Sequence, residues 1–337
     1  MKRLNPMTSP SIALAAALAV TAVVTALLSD EPGRAITYLA AGPAMSSLAL
    51  GNVLESAAKL TIAGLAAALA FRAGSFNLGG EGQALTGGIT AAALALAFPS
   101  LPRHIAPFIA VLVGITAGAA LGALSGGLRA RWGVDELIST FLISAAVLPV
   151  GQVLLGGPMK DVGSYLIAAP PLPAAYRIAA WWPPSRLGVP VVWAIAAASG
   201  ATVFLKSTHK GYEWRLKGAN EVFARYGGIR TGRIAVASMA ASGGLYGLAG
   251  TAALLDGGQA VQGFTSGLGW DGLAVALIAG SRPELIVPAA LAYAWLIHGT
   301  RAAMMHTGFS FALSGIVQAV IFLFVTTRLL TGRRRSA

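Results

Sequence analysis

Residues 206–233 read KSTHKGYEWRLKGANEVFARYGGIRTGR, a polar and basic island in a chain that is otherwise mostly apolar. The island holds seven of the 24 Lys and Arg residues and has no long apolar run. In a membrane protein such a stretch sits in water, and its positive charge assigns it to the cytoplasmic side. A large cytoplasmic loop between membrane segments is a contact surface, so what it touches bears directly on function.

The rest of the chain supports a membrane setting. Of 337 residues, 56% are hydrophobic and 11% charged, with a mean hydropathy of +0.72. Soluble domains carry about 25% charged residues. Ten apolar runs have roughly the ~20-residue length that spans a bilayer: 11–28, 53–71, 80–98, 106–127, 136–156, 190–205, 233–254, 267–280, 284–300 and 309–328. The run 35–50 is placed at the outer surface, because Gly42-Pro43 and Gly51-Asn52 break it. The first run follows Lys2 and Arg3 and is read as a retained helix, not a cleaved signal. The expected fold is therefore an all-α integral membrane protein of about ten transmembrane helices, some broken or re-entrant. Residues 1–337 form one transmembrane domain with 206–233 as its cytoplasmic loop.

The formal charge of +12 is unevenly placed. With both termini inside, the inner side collects sixteen Lys and Arg residues and the outer side six. The basic residues flank apolar segments, so nucleic acid is not the expected partner; the lipid bilayer is. There are no cysteines, which excludes disulfides, Fe–S clusters and thiolate metal sites. The four histidines are scattered, and no HExxH, GxxxxGK[ST] or GxSxG pattern occurs. No cofactor, metal site or catalytic residue is expected.

The 42 glycines and many alanines suit close packing of membrane helices. The outer segment 157–189, with six prolines and Trp181-Trp182, reads as an irregular, partly interfacial loop. A faint internal echo links Phe76-Asn-Leu-Gly-Gly-Glu81-Gly82 with Phe264-Thr-Ser-Gly-Leu-Gly-Trp-Asp271-Gly272. Each sets an aromatic, a glycine-rich stretch and an acid-Gly pair directly before an apolar run, which suggests two pseudo-repeated halves. Glu81 and Asp271 are candidates for a substrate path, since ionisable groups at membrane depth are rare and costly. The competing reading makes each a cap on a helix N-terminus. Asn77 and Gln83 would suit a polyhydroxylated or nucleobase substrate, with Phe76 and Trp270 able to flank a planar ring. Glu55 and Lys59, four apart, share a helix face and either partly neutralise each other or snorkel near the outer end of their helix.

Four stretches carry a family resemblance. Gly218-Ala219-Asn220-Glu221-Val-Phe-Ala224-Arg225-Tyr-Gly227-Gly228-Ile229 resembles the GxNxxAAxxxGI segment of permease subunits in ABC importers for simple sugars, nucleosides and branched-chain amino acids. Phe71-Arg-Ala-Gly74-Ser-Phe76-Asn77-Leu-Gly-Gly-Glu81-Gly82-Gln83 is similar to the RAGxFNIGxEGQ signature of the nucleoside and simple-sugar branch. Gly133-Val-Asp135-Glu136-Leu-Ile-Ser139-Thr140 and Gly269-Trp-Asp271-Gly272-Leu-Ala-Val-Ala-Leu are similar to its GVNEVIST and GFDGIAVALLG. Two departures stand out, Asp135 for Asn and Trp270 for Phe.

The resemblance implies that Gly218 to Ile229 form a coupling helix that docks on a separate ATPase subunit. It also implies a second permease chain and an extracytoplasmic substrate-binding protein. The setting would be the inner membrane of a prokaryote, and the cargo a nucleoside, with a ribose-like sugar as the alternative. Asn220 is expected to cap a helix over 221–226 that stops at Gly227-Gly228. An ion-coupled secondary transporter would need no docking helix. An intramembrane enzyme would need a nucleophile or metal set.

Overall fold

Glycine, proline and short polar residues set where each helix begins and ends. The computed structural model describes residues 31–307 and, before them, Ala19, Val23 and Ser29. The expected segments 11–28 and 309–328 therefore fall almost wholly outside the described residues. The helices are α1 Pro32–Ala41, α2 Ser47–Arg72, α3 Gly80–Ala97, α4 Ala106–Trp132, α5 Glu136–Gly156, α6 Pro190–Ser207, α7 His209–Ala219, α8 Glu221–Tyr226, α9 Thr231–Gly257, α10 Leu268–Ile278 and α11 Pro283–Thr307. Apart from two 3₁₀ turns and one isolated bridge, Ala168–Val261, all regular structure among the described residues is α-helical.

Among the described residues, five helices, α2, α4, α5, α6 and α9, are long and apolar enough to cross a membrane. The pair α10 and α11, bent by 120°, makes a sixth if taken as one broken span. The run 267–280 is thus not a crossing of its own. Eleven helical residues extend only ~16 Å, about half the hydrocarbon thickness. The chain then turns at Gly280 and Ser281, both at positive φ, before Pro283 restarts it.

The run 35–50 also differs from expectation. It breaks at Gly42-Pro43 but not at Gly51-Asn52. The Ser46 hydroxyl accepts from the Ala49 N–H and starts α2 there. Gly51 is kept small by Ser185, which lies where a Cβ would stand.

The core is built on α2 and α9, which are largely buried, while α4, α5 and α6 expose apolar side chains such as Leu124, Phe141 and Val153. Small residues bring α4 and α9 together. Gly114, Gly118, Gly122 and Gly126, spaced by four, form one face of α4. A Cβ at Gly118 or Gly122 would overlap the backbone carbonyl of Gly243 or Met239. Without side chains between them, the backbones meet and dispersion acts along the whole seam. The loop 157–189 is irregular, as expected, and docks on the turn after α9: Ala169 N–H donates to Ala260 O and Leu172 N–H to Gly258 O, at 2.9 and 2.8 Å.

Candidate functional site

Between α2 and α3 the chain is non-helical over Ser75–Gly79, with Ser75 and Asn77 buried and Phe76 exposed. Non-helical backbone inside a helical bundle leaves N–H groups without helix partners, and each must find another. Hydroxyls of α5 supply them. Thr140 Oγ1 accepts from Leu78 N–H at 3.0 Å, and Ser144 Oγ accepts from Gly82 N–H at 2.9 Å. Asn77 Oδ1 accepts from Gly79 N–H at 2.9 Å. The Asn77 amide donates to Gln83 Oε1 and Ser242 Oγ, both at 2.8 Å. Asn77 and Gln83 are buried and largely bonded to each other, so in this conformation they shape the break and offer little to a solute.

Glu81 joins the two glycine-rich breaks. Its Oε1 accepts from Gly267 N–H and its Oε2 from Gly269 N–H, each at 2.9 Å. Glu81 therefore caps the start of α10, not that of its own α3, with its charge at the positive end of the α10 dipole. Two glycines let the breaks touch: a Cβ at Gly269 would overlap Glu81 N, and one at Gly80 would fall 2.5 Å from the buried Tyr246 ring. The Tyr246 hydroxyl donates to Gly269 O at 3.4 Å. Asp271 sits one turn into α10 and accepts from the Tyr293 hydroxyl at 2.7 Å. Trp270 and Phe76 are both substantially exposed, 44% and 39%.

The basic island is more ordered than a loop with one short helix. Thr208 caps α7, its hydroxyl accepting from Gly211 N–H at 3.0 Å. Asn220 then caps α8, Oδ1 accepting from Phe223 N–H at 2.9 Å, and Gly228, at φ +79°, ends the turn beyond it. These bounds match the expected helix over 221–226. Ala224 packs inward, while Val222, Phe223 and Tyr226 are exposed and form an apolar face.

Lys217 fixes the island to the break. It is buried, and its Nζ donates to Ala73 O at 2.8 Å and to Ser75 Oγ at 3.3 Å. The Ser75 hydroxyl in turn donates to Glu136 Oε1 at 3.2 Å. Arg129 lies 3.8 Å from both Glu136 and Glu221, closing the set. Burial pushes the Lys217 ammonium below the usual lysine value, with Glu221 and Glu136 pulling it back. Gly218 is kept small because a Cβ there would overlap Arg72 O. Asp135 caps α5 through Leu137 N–H at 2.8 Å, a role that Asn and Asp fill equally well.

Sequence reading missed Lys217, Thr140, Ser144 and Tyr246 as parts of this site. The signal available was local: Lys217 and Thr140 each lie within or beside a recognised stretch. The Glu55–Lys59 pair also proves larger than expected, since Lys59 reaches Asp256 in the last turn of α9 at 3.3 Å.

A helical membrane protein emerges, broken by two glycine-rich segments that Glu81 joins and carrying a helical island tied to one of them. The chain belongs to the branched-chain amino acid transport system / permease component family, which matches residues 49–326. It is 30% identical over 334 residues to a guanosine ABC transporter permease protein of Bacillus subtilis, covering 97% of this chain and 95% of that one. It is 28% identical over 320 residues to a probable riboflavin import permease protein of Treponema pallidum, covering 94% and 84%. It is 29% identical over 340 residues to a glucose ABC transporter permease protein of Haloferax volcanii, covering 95% and 87%. No solved structure matches it. The chain is thus a multi-pass permease component of an ABC transporter.

Proposed function

We propose that this chain imports a nucleoside or purine-related solute, as one non-catalytic permease domain over residues 1–337. The observation that carries the substrate class is the chemistry shared by two relatives' named cargoes. Guanosine and riboflavin each join a planar nitrogen heterocycle to a ribose-derived unit. Phe76 and Trp270 are exposed aromatics, one on each side of the Glu81 joint, and offer planar faces to such a ring. Glu81 and Asp271 would supply polar edges, with Asn77 and Gln83 behind them. The glucose relative favours a simple sugar as the second reading.

The α7–α8 island, Gly218 through Ile229, would dock on a separate ATPase subunit. A short helix with an exposed apolar face fits a groove on a soluble partner. Lys217 would carry the movement of that docked helix to the Ser75–Gly79 break, and the two pseudo-repeated halves would rock about the Glu81 joint. A second permease chain and an extracytoplasmic binding protein complete the assembly, in the inner membrane of a prokaryote with both termini cytoplasmic. The test is ATP-driven uptake by the reconstituted assembly, offered labelled guanosine, uridine, ribose and glucose. Uptake of the nucleosides with neither sugar supports the reading; uptake of glucose or ribose alone replaces it with the second.

A further inference from the structure

An apolar cavity of about 610 Å³ opens between α2, α4, α6 and α9, lined by residues such as Leu69, Ile115, Phe204 and Leu245. Trp214 of α7 and Ala237 of α9 line it, and both also line a second cavity of about 570 Å³. That second cavity holds Lys210, Arg230 and Arg233. The two form one path, apolar among the membrane helices and basic where α6 gives way to the island. Lys210 is engaged by Glu213 at 2.9 Å. Arg230 and Arg233 are exposed and make no ion pair among the described residues.

We infer that this path binds one anionic phospholipid, an acyl chain along the apolar part and the headgroup phosphate between Arg230 and Arg233. The apolar part offers water almost no hydrogen-bond partners, so a hydrocarbon chain fits it and water does not. Its walls belong to helices that cross the apolar layer, where a soluble partner does not reach. Guanidinium groups pair with phosphate through two parallel N–H bonds, and a net negative headgroup gains from both charges. A zwitterionic headgroup offers the same phosphate with its charge cancelled.

The test uses the full chain in bilayers containing phosphatidylglycerol or phosphatidylcholine with brominated acyl chains. Bromine quenches a tryptophan it touches, and the difference between the chain and Trp214→Phe isolates Trp214. Phosphatidylglycerol is expected to quench Trp214 at a mole fraction on the order of tenfold lower than phosphatidylcholine. Arg230→Gln with Arg233→Gln removes that preference. Gly200→Phe, at a lining position with nothing within 4 Å of an added Cβ, fills the groove and lowers quenching by both lipids. Equal quenching by the two lipids overturns the proposal. So does no quenching by either, which means that protein occupies the groove. A double-arginine variant that keeps the lipid preference but loses its ATPase partner assigns the arginines to that partner and also overturns it.

Discussion

A carboxylate that holds two N–H groups of another helix is both a charge and a clasp. Glu81 does this for α10 through Gly267 and Gly269. Its amide counterpart has one acceptor oxygen and an NH₂ that cannot accept. Glu81→Gln leaves one N–H unpaired, at about 1–3 kcal/mol. The chain should still insert, with a lower thermal unfolding midpoint in detergent and slower uptake after reconstitution. Glu81→Ala removes both acceptors and should unfold earlier still. If Glu81→Gln unfolds and transports like the parent, the joint plays no part in function. Lys217→Met keeps length and burial but removes the bonds to Ala73 and Ser75. The apolar face of α8 is untouched, so the ATPase should still co-purify and hydrolyse ATP, while uptake per ATP falls severalfold. Unchanged coupling would take Lys217 out of the relay. The sequence marked Glu81 as special because an acid there is costly. It did not reveal which helix Glu81 caps, since that contact joins residues 186 positions apart.

The α4–α9 seam is a property of elements, because no single glycine makes it. A Cβ at Gly122 would meet the Met239 carbonyl, and backbone carbonyls have no rotamer to yield. Gly122→Val should part the helices, costing roughly 1–3 kcal/mol or more, read as a lost folded yield. Gly127 lies one residue beyond the same stripe and has nothing within 4 Å of an added Cβ. Gly127→Ala should be neutral or stabilising by about 0.5–1 kcal/mol through helix propensity. Equal loss in both variants would refute the seam. The glycine content announced close packing, but the stripe needs its partner helix to become visible. The same holds for α8. Its cap and stop were legible from Asn220 and Gly227-Gly228, whereas its outward face is a fact of packing. Phe223→Ala with Tyr226→Ala should weaken ATPase binding by about 2 kcal/mol or more in a pull-down titration, if these exposed rings anchor the contact.

At the scale of the whole molecule, hydropathy located most helices to within a few residues, because each apolar run ends where glycine, proline or a capping side chain stops it. It read 267–280 and 284–300 as two crossings where the structure has one bent pair, because a run of apolar residues does not report a bend. Gly280 and Ser281 turn the chain by 120° and leave α10 too short to span. It also left α7 unseen, since a helix of mixed polar and basic residues has no apolar run; the Thr208 cap and the burial of Gly211, Trp214 and Lys217 against other elements hold it in place. Orientation follows from charge, since basic residues are retained on the cytoplasmic side during insertion. In the proposed orientation, the sixteen-to-six distribution of Lys and Arg would put the island, and with it Lys217, on the side of the ATPase. The chain has no cysteine, so a single one introduced at position 210 reports its own side of the membrane. Lys210 is exposed and, among the described residues, tied only to Glu213, so its replacement disturbs no buried bond there. A membrane-impermeant maleimide should label Lys210→Cys in inside-out vesicles and in opened cells, and leave it untouched in intact cells. Labelling from outside intact cells would invert the topology. The exposed face of α8 would then point away from any cytoplasmic ATPase, and the coupling assignment would fall with the orientation.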